Sequence, residues 1–289
     1  MFVPRKILEE KLRNMLAEDI GQDDVTTALT VPANSTAEAE LIVKETGIIA
    51  GIEEAKILLE SLGLKVEIMI SDGEKVKAKT VLMKIFGDTR TILSVERTLL
   101  NIISRMSGIA TITSNLIRKI RKARLKTTVA CTRKVAPGLL YFDKKAVLIG
   151  GGDTHRLHLD DMILIKDNHI AVVGSIEKTI EKVRKGASFS KKIEVEVTRV
   201  KDAVAAAQAR ADVIMLDNFS PLQIEKAIES LKKEGLFRKV SLEASGGITA
   251  ENIVSYASKG INIVSLGDVT QSAKALDVSL EITNIKKKG

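Results

Sequence analysis

All three histidines of this chain, His155, His158 and His169, fall in one stretch, GGGDTHRLHLDDMILIKDNH, Gly150–His169. Metal binding, proton transfer and anion binding all draw on such residues. H-x-x-H spacing alone is a weak zinc signature, and no cysteine lies nearby to complete one. His155 stands beside Arg156 in a glycine-hinged loop, which favours a hydrogen bond from the ring to an anion. His158 and His169 carry no assigned role, and structural duty is expected of both.

Other chemical residues fall at regular places. Short β-branched runs, KTTVAC, AVLIG, MILIK, KIEVEV, VIMLD, VSLEAS and IVSLG, end near positions 131, 149, 166, 197, 217, 245 and 267. Arg133 and Lys134 follow the first run; His155 and Arg156 follow the second. Lys166 ends the third, Glu196 the fourth and Asp217 the fifth. Ser245, Gly246 and Gly247 close the sixth, and Gly267 with Asp268 follows the seventh. In an open α/β sheet such residues gather at one switch point. Chemistry at every strand end instead predicts an α/β barrel whose strand C-termini share one mouth. Seven strands make that barrel incomplete.

Four cations at one mouth are costly to bury without an anion. The planar fork of arginine suits carboxylates. EASGGI and SLGDVT would present backbone N–H groups to a phosphate. Glu196 and Asp217, acids in apolar strands, suit ribose hydroxyls or Mg2+, or merely balance neighbouring cations.

The segments between the runs read as helices. SPLQIEKAIESLKKEG has Ser220 as N-cap, Pro221 at the first helical position, Gln223 completing a capping box and Gly235 as a stop. SIEKTIEKVRKG and TAENIVSYASKG repeat the apolar spacing. Towards the N-terminus, Ile7, Leu8, Leu12, Met15 and Leu16 mark a helix face, and AELIVKE, KVEIMI and TVLMKIF read as strands. Residues 90–124 read as two helices separated by Gly108. SDGEKVKAKTVLMKIFG is styled like the hairpin of biotinyl and lipoyl carriers, but Lys84 falls within a strand rather than at a tip. These patterns place an N-terminal domain over 1–112 and a barrel over 113–289, with the last residues returning to the first domain.

Composition narrows the partners. Lys and Arg exceed Asp and Glu by 45 to 37, consistent with anionic ligands or nucleic acid. With six Phe, two Tyr and no Trp, base-stacking platforms are scarce, so nucleic acid is not expected. Lys286, Lys287 and Lys288 read as a solvated end. A single cysteine, Cys131, excludes an internal disulfide, no run is long and apolar enough to span a membrane, and the charged start has no signal-peptide core. A cytoplasmic protein is expected.

TRKVAPGLLYFDKKAVLIGGGDTHRLHLDDMILIKDNH strongly resembles the quinolinate phosphoribosyltransferase family, as do ERTLLN…SGIAT, IEVEV, VIMLDNFSP, LEASGGI and SLGDVTQ in this order. EDIGQDDVTT extends the likeness towards the start. The resemblance implies an N-terminal α/β sandwich beside an incomplete seven-stranded α/β barrel. It also implies at least a homodimer with shared sites, and Mg2+ as helper. The implied reaction joins quinolinate to phosphoribosyl pyrophosphate, giving nicotinate mononucleotide, pyrophosphate and CO2. By the same resemblance Arg133, His155, Arg156 and Lys166 line a quinolinate pocket, Thr132 binds substrate, and Lys134 lies near the pyrophosphate. Glu196 and Asp217 hold ribose and metal, and Ser245, Gly246, Gly247 and Gly267 cradle the 5′-phosphate. Arg97 reaches a partner's site. Gln271 stands where some relatives carry histidine, which puts its part in phosphate binding in doubt. A related protein of molybdenum transport with a different acceptor, and a barrel lyase using Lys166 as a Schiff-base nucleophile, are the competing readings.

Overall fold

Helix α1 (Arg5–Ile20) turns Leu8, Leu12 and Leu16 inward at a spacing of four. Burying each contributes about 1.5–3 kcal/mol. Ile7 is exposed, so the apolar stripe starts one residue later than the sequence pattern suggests. The computed structural model describes residues 3–287 and is organised as two units. One comprises Met1–Ser114, Tyr141–Gly151 and Ala273–Gly289; the other comprises Asn115–Leu140 and Gly152–Ser272. A short internal piece and the last residues thus belong with the first unit.

In the first unit, α1 is followed by α2 (Val25–Thr30), β1 (Ser35–Val43), β2 (Gly47–Ile48), α3 (Ile52–Ser61), β3 (Lys65–Ile68), β4 (Lys75–Val76) and β5 (Val81–Asp88). The long α4 (Thr89–Lys122) comes next, in this unit as far as Ser114, and α5 (Leu140–Ile149) from Tyr141 and the strand β12 (Val278–Lys287) also belong here. The main sheet is antiparallel in the order β12-β1-β5-β3, and β2 pairs with β4. Strict alternation along β1 points one face into the core. Lys84 stands opposite Glu40 in the β1–β5 register, 3.6 Å from its carboxylate. It is a cross-strand ion pair rather than a carrier lysine at a hairpin tip. Lys286 lies on β12 near Glu38, whereas Lys288 falls outside the described residues.

Two expectations fail here for physical reasons. Gly108 does not break the helix: α4 runs through it. A Cβ at that position would lie 2.2 Å from the carbonyl oxygen of Lys274, so glycine is there for close backbone approach. AVLIG is not a strand but the end of α5. Tyr141 to Val147 are all buried, and a helix covered on most sides produces the same continuous apolar run as a buried strand. Its charged residues are paired. Arg105 forks onto Asp143 at 2.7 and 2.8 Å, while Lys145 donates to Glu53 and, at 2.7 Å, to Glu54.

The second unit is an α/β barrel lacking a full turn. Its elements are β6 (Thr128–Cys131), β7 (Ile163–Ile165), α6 (Asp167–Val173), α7 (Ile176–Gly186), β8 (Ile193–Val197), α8 (Val200–Gln208), β9 (Val213–Asp217) and α9 (Pro221–Lys233). Strand β10 (Ser241–Ser245), α10 (Ile253–Ala257), β11 (Ile263–Leu266) and α11 (Asp268–Gln271) complete it. Six parallel strands follow the order β6-β11-β10-β9-β8-β7, so the first strand pairs with the last, as closure into a barrel requires. In place of the second expected run, a single residue joins the sheet. Asp153 bridges Ala130 in parallel, its N–H bonding Val129 and its carbonyl accepting from Cys131. The gap lies between this bridge and β7. Around the sheet, Ser220 and Gln223 form the capping box of α9, and Ile224, Ile228 and Leu231 are buried along it.

Candidate active site

The strand C-termini of the second unit surround a cavity of about 750 Å³. Thr132, Arg133, Lys134, His155, Arg156, Lys166, Glu196, Asp217, Ser245, Gly246, Gly247 and Gly267 all line it. Arg97 does not. It is exposed on α4 in the first unit. Gln271 ends α11 and is absent from the lining.

Each side chain is placed by local backbone chemistry. The turn after β6 is tied by the Lys134 amide, which donates to Thr132 Oγ1, and by buried Thr270, whose hydroxyl donates to the Lys134 carbonyl at 2.7 Å. Lys134 then passes over Gly267, where a Cβ would meet its stem at 3.0 Å. Gly246 is doubly required. Its φ is +86°, and a Cβ would strike Asn218 Oδ1 at 2.2 Å. Gly247 is also left-handed, so successive amides form a concave nest suited to an anion.

Electrostatics divides the cavity into two parts. On one side, Arg156 has its pKa lowered by burial and by the neighbouring Arg133 guanidinium. An incoming dianion would relieve that repulsion. On the other side stand Glu196 and Asp217. Lys166 Nζ donates to Glu196 at 2.6 Å, and Asn218 Nδ2 donates to Asp217 at 2.8 Å. Burial raises the Asp217 pKa, and Glu196 raises it further, so the two acids feel one another. Two oxygen donors under mutual repulsion fit a hard divalent cation such as Mg2+. Lys166 sits among polar groups rather than in the apolar pocket that activates a Schiff-base lysine.

The histidines separate. His158 is exposed and outside the cavity; its amide donates to Asp161. His169 serves structure: its Nδ1 accepts from the Lys166 amide at 3.0 Å and ties the start of α6. His155 lines the cavity, but both ring nitrogens are engaged by the protein. Nδ1 accepts from the Arg156 amide at 2.8 Å, and Nε2 lies 3.3 Å from both Glu194 and Glu243. The expected hydrogen bond from His155 to an anion is therefore not offered by this arrangement. Burial disfavours an imidazolium, while the two acids favour it and on balance pull the pKa upward, to about 10. The amide aimed at Nδ1 favours instead the tautomer with its proton on Nε2, and in either form Nε2 carries the hydrogen that faces the two acids. Burial likewise raises the Glu194 pKa.

Glu194, Glu243 and Asn218 are the important residues that the strand-end reading missed. The first two carry a legible signal, since side chains two apart share a strand face. Glu194 stands two before Glu196, and Glu243 two before Ser245.

Two family models match nearly end to end. One, for the quinolinate phosphoribosyl transferase N-terminal domain, spans residues 24–107, and the other, for its C-terminal domain, spans 109–281. The chain belongs to the quinolinate phosphoribosyltransferase family. It is 43% identical over 275 residues to a probable nicotinate-nucleotide pyrophosphorylase [carboxylating] of Methanothermobacter thermautotrophicus, covering 95% of this chain and 99% of that one. The human nicotinate-nucleotide pyrophosphorylase [carboxylating] is 33% identical over 282 residues, with 98% and 94% covered. Among solved structures, NadC from Streptococcus pyogenes superposes with a TM-score of 0.90 at 33% identity over the whole of both chains. The nicotinate-nucleotide pyrophosphorylase from Francisella tularensis gives 0.89 at 38% identity, covering 98% of each. The α/β sandwich and incomplete barrel are thus the fold of this family.

Proposed function

We propose that the chain transfers the phosphoribosyl group of phosphoribosyl pyrophosphate to quinolinate and decarboxylates the product, forming nicotinate mononucleotide for NAD biosynthesis. The observation that carries this reading is a single mouth in which Arg133, Lys134, Arg156 and Lys166 face the acids Glu196 and Asp217, beside the Gly246–Gly247 nest after β10 and Gly267 after β11. Quinolinate brings adjacent carboxylates for Arg133, Arg156 and Lys166. The sugar's 5′-phosphate suits the amides around Ser245, Gly246, Gly247 and Gly267. Lys134, at the same mouth, suits the pyrophosphate.

The pyridine nitrogen attacks the anomeric carbon, and pyrophosphate leaves with the electrons of the broken C–O bond. Glu196 and Asp217 offset the positive charge that develops at the sugar and hold its hydroxyls. The same two acids would hold Mg2+, which supplies charge neutralisation for the departing pyrophosphate. Once quaternised, the ring nitrogen stabilises the electron pair left at the neighbouring carbon when CO2 departs, and solvent supplies the final proton. The chain's main contribution is to orient two polyanions and exclude competing water.

Arg97, exposed on the first unit, is assigned to the active site of a neighbouring subunit in a homodimer or larger assembly. A cytoplasmic location accords with soluble substrates and a single buried thiol.

Purified protein with Mg2+, quinolinate and phosphoribosyl pyrophosphate should release CO2 and accumulate nicotinate mononucleotide, whereas nicotinate should not replace quinolinate. A folded sample that yields no product refutes the reading. Borohydride trapping of substrate on Lys166 would point to the lyase instead. Arg97→Ala and Arg133→Ala should each be inactive alone, yet regain part of the activity when mixed. Mixed assemblies that form but stay inactive would rule out the shared site.

A further inference from the structure

Beneath the cationic mouth lie two acids that nothing in the proposed chemistry uses. Glu194 on β8 and Glu243 on β10 are completely buried. No hydrogen bond of good geometry reaches either carboxylate among the described residues; what both face is His155 Nε2, at 3.3 Å. We propose that Glu194 and Glu243 are positioning residues that clamp the His155 ring through its Nε2–H and thereby aim Arg156 at the carboxylates of the acceptor. The proposal rests on the phosphoribosyl-transfer reading given above.

Three features converge on the clamp. First, His155 adopts a φ of 52°, a left-handed conformation that is strained for a residue with a Cβ and persists only where surroundings over-determine it. Asp153 accepts from the His155 amide at 2.6 Å, and the acids hold the other end of the ring. Second, the ring returns a hydrogen bond to the chain at Arg156, accepting its amide on Nδ1. Ring orientation and the course of the chain at Arg156 are therefore coupled. Third, buried carboxylates are expensive to desolvate, and apolar residues of similar volume would pack at least as well. Their presence calls for a role other than filling space.

His155, Glu194 and Glu243 present ligand atoms within 4.8 Å of one another, which is also the outline of a cation site. The direction of the Nδ1 hydrogen bond argues for the clamp. A metal-binding histidine donates from its second nitrogen, whereas this one accepts there, leaving the hydrogen on Nε2. The donor at Nε2 would be present in the imidazolium too, so the clamp does not depend on a titration.

The acids act on the acceptor side of the mouth, so their loss should be felt there. In a Glu194→Leu/Glu243→Leu double variant, the quinolinate KM should rise about tenfold or more. The KM for phosphoribosyl pyrophosphate and kcat should stay within about threefold, and the thermal midpoint should not fall. The corresponding Gln pair keeps an accepting oxygen on each side chain and should recover most of the lost affinity. Imidazole 15N NMR reads the clamp directly, because only three histidines contribute. The signal pair missing from a His155→Asn variant should show a protonated Nε2 and a bare Nδ1 in the wild type, and should shift in the Leu pair. An unchanged quinolinate KM in the Leu pair, or a bare Nε2 in the wild type, overturns the clamp. If the wild type makes no product, the functional reading has failed, and the ring spectrum alone still decides the clamp, as it does if the Leu pair does not fold.

Discussion

The two units treat charge in opposite ways. In the first, charges are buried and matched: Arg105 is forked onto fully buried Asp143, and Lys145 is held by Glu53 and Glu54, with the Tyr141 hydroxyl donating to Glu54 at 3.0 Å. In the barrel mouth Lys166 is matched to Glu196, but among the described residues Arg133 and Lys134 form no ion pair, and Arg156 is crowded by Arg133. A closed network of this kind serves the fold, whereas an excess of one sign at strand ends implies a ligand that completes it. The difference separates two kinds of conspicuous charged residue that look alike in sequence: Lys144 and Lys145 in FDKKAVLIG, and Arg133 and Lys134 in TRKVAPG.

This contrast predicts a separation of activity from stability. Lys134→Ala should reduce turnover about 10³-fold, as loss of a cation on a leaving polyanion does, with the urea midpoint nearly unchanged. A large stability loss would place Lys134 with the matched charges instead. Asp143→Ala should do the reverse. It strands Arg105 and should cost about 3–5 kcal/mol in urea unfolding, while the rate per folded molecule stays near wild type. Gly246→Ala should affect both, since the new Cβ meets Asn218 and the backbone is left-handed. We expect about 1–3 kcal/mol lost and weaker binding of the phosphorylated substrate, measured by unfolding and by KM.

The smallest effect concerns Asp72, which lies near Glu54 and Lys145 in the first unit. Burial raises its pKa, only partly offset by the hydrogen bond it accepts from the Ile52 amide. An acid with a raised folded-state pKa loses protons more readily in the unfolded chain. Its contribution to stability therefore falls as pH rises from the ordinary aspartate range through its folded pKa. Asp72→Asn should remove that fall, leaving the variant at most about 1 kcal/mol more stable than wild type near neutrality and no more stable in acid. Unfolding curves at acid and neutral pH check the sign.

Much of the barrel was legible because its chemistry sits where strands end, and an abrupt polar residue after a β-branched run marks such an end. Arg133, Lys166, Glu196, Asp217 and Ser245 were found this way. Glu194 and Glu243 lie one layer down, two residues before the strand ends, where no such boundary marks them. Burial hides the periodicity of α5, and the glycine at Gly108 answers to a distant backbone. The roles of His155 could not be read from its neighbours in sequence, because the acids that engage it come from two later strands.

Strand β12 occupies the edge of the first unit's sheet, where it pairs along the whole of β1. A ribosome makes β1 long before β12. Until β12 emerges, the nine residues of β1 have an unsatisfied row of amides and carbonyls on one side. The nascent protein must therefore carry an open, adhesive edge while the whole barrel is being made, although the folded molecule covers it. Chaperone demand and aggregation should thus track loss of β12 more closely than damage to the catalytic mouth.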